Sequence, residues 1–191
     1  MALAMGSPWP SEFYPEKVVC GVRLEKPDSF HELIFVEEFT RAGDVAIQTA
    51  IFGGNTIGLP PIIKFGSKKM QERIVSPVLR GEKRICLCIT EPCAGSDVAA
   101  IQTIATKTPD GKFYIVSGMK KWITTGMNSD YFTTAVSTDL TQGMFGISIL
   151  LIEKTMPGIY LRQMKCQGLW STGTAFIVFD NVKVPVENLI G

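Results

Sequence analysis

Leu87-Cys88-Ile89-Thr90-Glu91-Pro92-Cys93-Ala94-Gly95-Ser96-Asp97 is the stretch on which the fold turns. Before it the chain reads as helix; after it, as strand and turn. A short β-run, Ile85 to Thr90, is stopped by Pro92 and the small residues Ala94, Gly95 and Ser96. Proline removes a backbone donor, and small residues let the main chain approach a partner closely. A strand that ends in exposed amides and hydroxyls at the seam of two structural classes suits a flat polar ligand. A surface loop joining two domains accounts for the same residues.

On the N-terminal side of that stretch, Ser29-Phe30-His31-Glu32 has the S-x-x-E form of a capping box. The apolar run that follows, Leu33, Ile34, Phe35, Val36, Phe39 and Ala42, predicts a helix packed on two sides and ending near Gly43. His31 then sits in its first turn, exposed rather than catalytic. A second helical run starts at Asp44 and carries Val45, Ile47, Ala50 and Ile51. Gly53, Gly54 and Gly58 would each cost roughly 1 kcal/mol against alanine inside a helix. They mark close approach of another helix or a ligand, or fraying before Leu59-Pro60-Pro61. Ser67 caps a third helix with Met70, Ile74 and Val75 on its apolar side, stopping at Ser76-Pro77. Met1 to Pro27, punctuated by prolines and Gly6, reads as an irregular arm.

On the C-terminal side the period changes to two. Strands are expected at 85–90, 102–107, 113–121, 131–137, 146–153, 158–163 and 175–184, with a hairpin turn at Thr108-Pro109-Asp110-Gly111. Strands with no helices between them predict an antiparallel sandwich or barrel. The fold class is therefore α+β: an arm over 1–27, a partial α-helical domain over 28–84 and an antiparallel β domain over 85–191.

Composition narrows the function. The 191 residues, 46% hydrophobic, are enough to bury a core as one or two domains. Nineteen basic and eighteen acidic residues leave a net charge of +1, without the basic stripe and interleaved aromatics of a nucleic-acid binder. The longest apolar runs, such as Ile147–Ile152, are far too short for a membrane span. The first sixteen residues hold no Lys or Arg and include Pro8, Pro10 and Pro15, unlike a secretory signal or an Arg-rich presequence. A cytoplasmic protein is expected, with an organelle matrix as the alternative. Cys20, Cys86, Cys88, Cys93 and Cys166 form no C-x-x-C pair, and His31 is the single histidine, which argues against a metal site or a disulfide framework and for reduced thiols. No catalytic set for nucleophilic or acid/base work is visible, and no phosphate-binding glycine fingerprint is present. Glu91, beside Pro92, is read as a local hydrogen-bonding residue.

Two more clusters resemble ligand-facing sequence. Ser117-Gly118-Met119-Lys120-Lys121-Trp122-Ile123-Thr124-Thr125-Gly126 is a strand ending in an aromatic, hydroxyls and glycine. Strand alternation puts Trp122 and Thr124 on one face, where a ligand would meet indole and hydroxyl together; a core role for Trp122 is the alternative. Gln167-Gly168-Leu169-Trp170-Ser171-Thr172-Gly173-Thr174 is a polar loop before a strand, able to meet a ligand or another domain.

Together these clusters resemble the acyl-CoA dehydrogenase family of flavoproteins. Thr90-Glu91-Pro92-Cys93-Ala94-Gly95-Ser96-Asp97 is similar to its T-E-P-x-A-G-S-D signature. Gly118-x-Lys120-x-Trp122-Ile123-Thr124-x-Gly126 resembles its G-x-K-x-W-I-T-N-G strand. Phe179-Asp180-x-Val182-x-Val184-Pro185-x-x-Asn188-Leu189-Ile190-Gly191 resembles its closing F-D-x-V-x-V-P-x-x-N-L-L-G segment. The resemblance covers most of the chain from about residue 28.

What the resemblance implies is an FAD enzyme that oxidises an acyl-CoA thioester between its α and β carbons. Leu87, Ile89 and Thr90 would hold the pyrimidine side of the flavin. Ser96 would lie near an FAD phosphate or the substrate's thioester and pantetheine portion. Trp122 would pack against the isoalloxazine and Thr124 would lie near N5, with Ile123 between them counted among the cofactor-binding residues. Cys93 stands where the family usually has Gly, Thr125 where it has Asn, and Gln167-Gly168-Leu169-Trp170 where it has K-L-G-x-R. The given chain stops at Gly191, where the family continues into a helical domain of about 150 residues, of ordinary domain size, which carries the catalytic carboxylate. No catalytic residue is therefore assigned here. The expectation is a truncated product, half of a split enzyme or a fragment, with a homo- or hetero-oligomer supplying the missing domain. The alternatives are a non-catalytic flavin- or acyl-CoA-binding partner subunit and a nitroalkane-oxidase-like relative.

Overall fold

The computed structural model describes residues 12–13, 18–19, 22–23, 28–43 and 45–191. Two short strands, β1 (Val18–Val19) and β2 (Val22–Arg23), pair antiparallel within the segment expected to be irregular. Helix α1 (Ser29–Arg41) is capped one residue earlier than the S-x-x-E pattern predicts. Asp28 Oδ1 accepts the amides of Phe30 (3.0 Å) and His31 (3.3 Å), while His31 Nδ1 accepts the Asp28 N–H at 3.2 Å. His31 thus fills the place expected for Glu32, and its role is capping.

The expected two-sided packing of α1 is not found. None of its residues is buried, and Phe30, Leu33 and Ile34 are 71%, 58% and 59% exposed. It has an aromatic contact with the next helix: Phe35 and Phe39 meet Phe52 of α2 (Val45–Phe52) edge-on, with centroids 5.7 and 5.9 Å apart. The expected cap of α2, Asp44, lies outside the described residues.

After α2 the chain widens into a π-helical turn, Gly53–Gly58. Its glycines are explained by a strand rather than by another helix. A Cβ on Gly54 would stand 2.5 Å from the Ile85 carbonyl oxygen, and one on Gly58 2.9 Å from the Cys86 carbonyl carbon. The Thr133 hydroxyl fastens this approach by donating to the Gly58 carbonyl at 2.7 Å. Leu59-Pro60-Pro61, read as a stop, begins α3 (Pro60–Phe65) instead, because the first helical turn needs no backbone donors. In α4 (Lys68–Leu79), Ser67 caps Met70 N–H as predicted, but the helix runs through Pro77. An internal proline costs about 3 kcal/mol. Burying Val78 and Leu79 contributes about 1.5–3 kcal/mol each, enough to carry the helix past it.

The β region is one eight-stranded sheet in the order β10-β7-β6-β4-β5-β9-β8, with β3 also beside β6. Its strands are β3 (Ile85–Cys88), β4 (Ile104–Lys107), β5 (Phe113–Ile123), β6 (Tyr131–Ser137), β7 (Ile147–Glu153), β8 (Ile159–Gln163), β9 (Ala175–Pro185) and β10 (Leu189–Ile190). Pairing is antiparallel except for β3 with β6 and the single Ile104↔Ser137 bridge. Strand alternation makes β3 the joint of the molecule. Cys86 and Cys88 enter the β core with Val116, Phe132, Ile177 and Phe179, whereas Ile85 enters the helical core with Ile62, Ile74 and Val75.

Near its end β5 bulges. Lys120 pairs with Ile177 and Ile123 with Ala175, three steps against two. Trp122 and Thr125 both take φ of 62°. The simple alternation expected for Trp122 and Thr124 therefore fails, and Trp122 is 53% exposed rather than a core anchor. A β-branched residue in left-handed backbone is strained by roughly 1–2 kcal/mol. Thr125→Asn is expected to raise stability by about 1 kcal/mol in urea unfolding, since Asn tolerates that backbone and the Thr125 hydroxyl has only a 3.4 Å contact with Ser129 to lose.

Candidate functional site: the wall formed by β3, the loop after it and the end of β5

The Leu87–Thr90 stretch is held by an ion pair inside the protein. Lys120 is fully buried, and its ammonium donates to Glu91 Oε1 and to the Ile89 carbonyl, both at 2.8 Å. Glu91 also accepts the amides of Gln102 (2.7 Å) and Thr103 (3.0 Å). Burial works to raise the Glu91 carboxyl. Lys120, Thr103 and Gln102 outweigh it and hold the group below the usual glutamate range. Burial also draws the Lys120 ammonium below the usual lysine value, with Glu91 opposing. Glu91 is thus a long-range anchor. Sequence reading missed Lys120, although it shares strand parity with buried Val116, where an unpaired lysine would not persist.

The tight turn after the strand follows from the same anchor. Glu91 and Ala94 exchange backbone bonds (2.8 and 3.4 Å) around Pro92 and Cys93. Cys93 is not among the residues with positive φ, so the turn accepts a side chain where glycine is the family habit. Cys93 points to solvent as a free thiol. Burial pushes the Cys86 thiol up to about 12 and raises Cys88 as well, leaving both protonated and inert at neutral pH. Among the described residues no cluster of metal-ligating side chains forms, and no helix is long and apolar enough to cross a membrane.

Among the described residues, the wall presents hydrogen-bonding groups without partners. β3 pairs with β6 along one edge only, from Ile85↔Tyr131 to Cys88↔Thr134. The phase of that parallel ladder is set by Tyr131 N–H donating to the Arg84 carbonyl at 3.1 Å, which turns the amides of Leu87 and Ile89 to the other edge. The Thr90 carbonyl accepts Lys121 N–H at 2.9 Å, bringing Thr90 beside Trp122. Among the described residues neither the Thr90 nor the Thr124 hydroxyl has a hydrogen-bond partner. Gly53 faces Thr124: its missing Cβ would lie 3.4 Å from Thr124 Cγ2. Lys121 Nζ sits 5.0 Å from the Trp122 ring centroid, over the exposed indole.

Two candidates stand apart from this grouping. The Ile123 side chain is 2% exposed and belongs to the β core, leaving only its backbone for a ligand. Ser96 lies beyond the turn, exposed, its carbonyl accepting Val98 N–H at 3.1 Å. The Gln167–Thr174 loop docks on the segment after Thr125, with Met127 N–H donating to the Gly173 carbonyl at 3.0 Å. Trp170 on that loop is 55% exposed.

Comparison with known proteins places these features in a family. Residues 16–82 match the acyl-CoA dehydrogenase N-terminal domain and residues 86–182 the acyl-CoA dehydrogenase middle domain. The chain belongs to the acyl-CoA dehydrogenase family. It is 48% identical over 174 residues to acyl-CoA dehydrogenase apdG of Emericella nidulans, covering 91% of this chain and 40% of that one. A probable acyl-CoA dehydrogenase from Mycobacterium abscessus superposes with a TM-score of 0.82 at 37% identity, covering 87% of this chain and 44% of that one. Butyryl-CoA dehydrogenase from Megasphaera elsdenii superposes with a TM-score of 0.86 at 29% identity over 100% of this chain and 48% of its own. The chain thus spans less than half the length of these relatives.

Proposed function

We propose that this chain supplies one wall of an FAD site in an oxidoreductase that dehydrogenates acyl-CoA thioesters between the α and β carbons. One grouping carries the reading: among the described residues the β3 edge away from β6 is unpaired and the Thr90 and Thr124 hydroxyls have no partner, Thr90 is tied through its carbonyl to the residue beside the exposed Trp122 indole, and Glu91 and Lys120 anchor the stretch. These residues fit an isoalloxazine. Leu87 N–H, Ile89 N–H and the Thr90 hydroxyl match its hydrogen-bonding pyrimidine edge, Thr124 matches a ring nitrogen, and Trp122 offers an aromatic plane.

When bound, FAD would supply the hydride acceptor. The protein's part is to orient the ring and to place donors where negative charge gathers on reduction. Thr124 does so beside Gly53, where the absence of a side chain keeps the approach open. Ser96, exposed beyond the turn, is the proposed contact for a phosphate or the thioester end of the substrate. Removal of the α proton is assigned to no residue of this chain. A cytoplasmic or organelle-matrix setting, and an oligomer contributing further helices, complete the proposal.

FAD added to the purified chain should survive desalting and show the shifted visible band of a bound flavin. Trp122→Ala is expected to weaken FAD binding by about three- to tenfold, the scale of one lost aromatic contact. Failure of the wild-type chain to retain any FAD would remove autonomous flavin binding, and an unchanged affinity in Trp122→Ala would remove the indole from the site.

A further inference from the structure

A cleft of about 270 Å³ lies between α2 with its π-helical turn and the β domain. Its helical wall is apolar: Ile47, Ala50, Ile51 and Gly54, continued by Ile85 at the floor. The β domain and the loop before β9 contribute its polar lining: Arg84, Thr125, Asn128 and Ser171. None of these residues belongs to the proposed flavin wall, although Gly54 and Thr125 directly follow Gly53 and Thr124. On the helix, Ile47, Ile51 and Gly54 share one stripe at i, i+4 and i+7, whereas Gly53 points about a quarter turn away toward Thr124.

Three of the four polar residues are uncommitted, Thr125 having its hydroxyl near Ser129. Among the described residues, the Arg84 guanidinium and the side chains of Asn128 and Ser171 have no hydrogen-bond or ion-pair partner. Asp130, which meets the Arg84 backbone, is already engaged: it holds Lys83 Nζ at 3.0 Å and Arg84 N–H at 2.9 Å. A concave apolar surface with a few convergent polar groups is the usual make-up of a small-molecule site, and this volume lies just under the roughly 300 Å³ at which drug-sized pockets begin. A permanent cation facing aliphatic side chains selects for an anionic head on a short hydrocarbon tail, and the planar guanidinium matches a carboxylate best.

We propose that this cleft binds a small alkyl carboxylate, a free short-chain fatty acid, with its carboxylate on Arg84, Asn128 and Ser171 and its chain against Ile47, Ile51 and Ile85. Binding this way requires no flavin, so the proposal stands or falls independently of the flavin site.

The test is titration of the full 191-residue chain, without added FAD, with hexanoate, hexanol and acetate, followed by amide chemical shifts. Hexanoate should give saturable shifts at Gly54, Ile85 and Asn128, with hexanol, which lacks the charge, binding about tenfold more weakly and acetate, which lacks four methylenes of the tail, about a hundredfold more weakly. Arg84→Gln should weaken hexanoate by about tenfold, the low end for a charge-assisted bond on an exposed arginine. That variant keeps the backbone bonds through which Arg84 meets Asp130 and Tyr131, so it should fold. No saturable shift, hexanol binding as tightly as hexanoate, or an unchanged affinity in Arg84→Gln would each overturn the proposal.

Discussion

Lys120→Met is expected to lower the unfolding free energy by about 3–5 kcal/mol, because it leaves Glu91 charged and buried without its cation. Both side chains are withdrawn from solvent, at 0% and 4% exposure, so little water can take over the partner's role. The methionine is close in volume, which confines the loss to charge and hydrogen bonds rather than packing. Adding Glu91→Gln should recover a large part of the loss, since the neutral amide oxygen still accepts from Gln102 or Thr103. Urea unfolding of the four-member cycle measures this; a loss under 1 kcal/mol in the single variant would show the pair to be dispensable.

The same pair fixes the sign of the acid response. Glu91 is held below its usual value of 4.5, so its stabilisation is complete above pH 4.5 and is lost as pH falls through the lower native value. The gap between wild type and Lys120→Met should therefore narrow in acid, where protonated Glu91 leaves Lys120 buried and alone.

Gly54→Val is the second large effect, and its neighbour is its control. A residue at 54 with a Cβ would gain helix propensity of up to about 1 kcal/mol. That gain is outweighed by the clash with the Ile85 carbonyl oxygen, which cannot yield without disturbing the β3–β6 ladder. A net loss of about 2–3 kcal/mol is expected. Gly53→Ala differs by one position and should not destabilise, because its Cβ would meet only the Thr124 methyl, at an ordinary 3.4 Å. The cost of Gly53→Ala should fall on FAD affinity instead. Paired melting curves with a flavin titration separate the two; equal stability losses would mean that the tight face of the π-helical turn is misassigned.

These contrasts show where sequence was sufficient. Strands β8 and β9 were legible because they alternate between more and less exposed positions, and β6, buried almost throughout, because it is a run of β-branched and aromatic residues; it begins and ends at the expected residues. Glycines 53, 54 and 58 signalled a close approach, but not that a strand's backbone makes it. The helical half was less legible for tertiary reasons. Pro77 is carried by burial that no local signal announces, and Pro60-Pro61 looks the same at the start of a helix as after the end of one. The bulge at Trp122 hid the site geometry, since period-two reasoning fails when one residue is inserted. Lys120 was visible as part of a motif and silent as chemistry, because the carboxylate it needs is 29 residues away.

That spacing also sets when the wall can exist. β3 has four residues and no hairpin partner adjacent in sequence. Its fastenings reach across the chain: 31 residues from Lys120 to Ile89, 29 to Glu91, and 75 between Thr133 and Gly58 on the flanking turn. Loop closure becomes costlier with length, by about 0.6 kcal/mol per doubling, and non-local pairing slows folding. The hairpins within the sheet can close first; β3 is fixed in place only once β6 has paired with it and Lys120 of β5 has reached Ile89 and Glu91. A nascent chain therefore carries the whole signature from Thr90 to Asp97 before it carries the assembled wall to which that signature belongs, and anything that recognises the wall can act only on the completed fold.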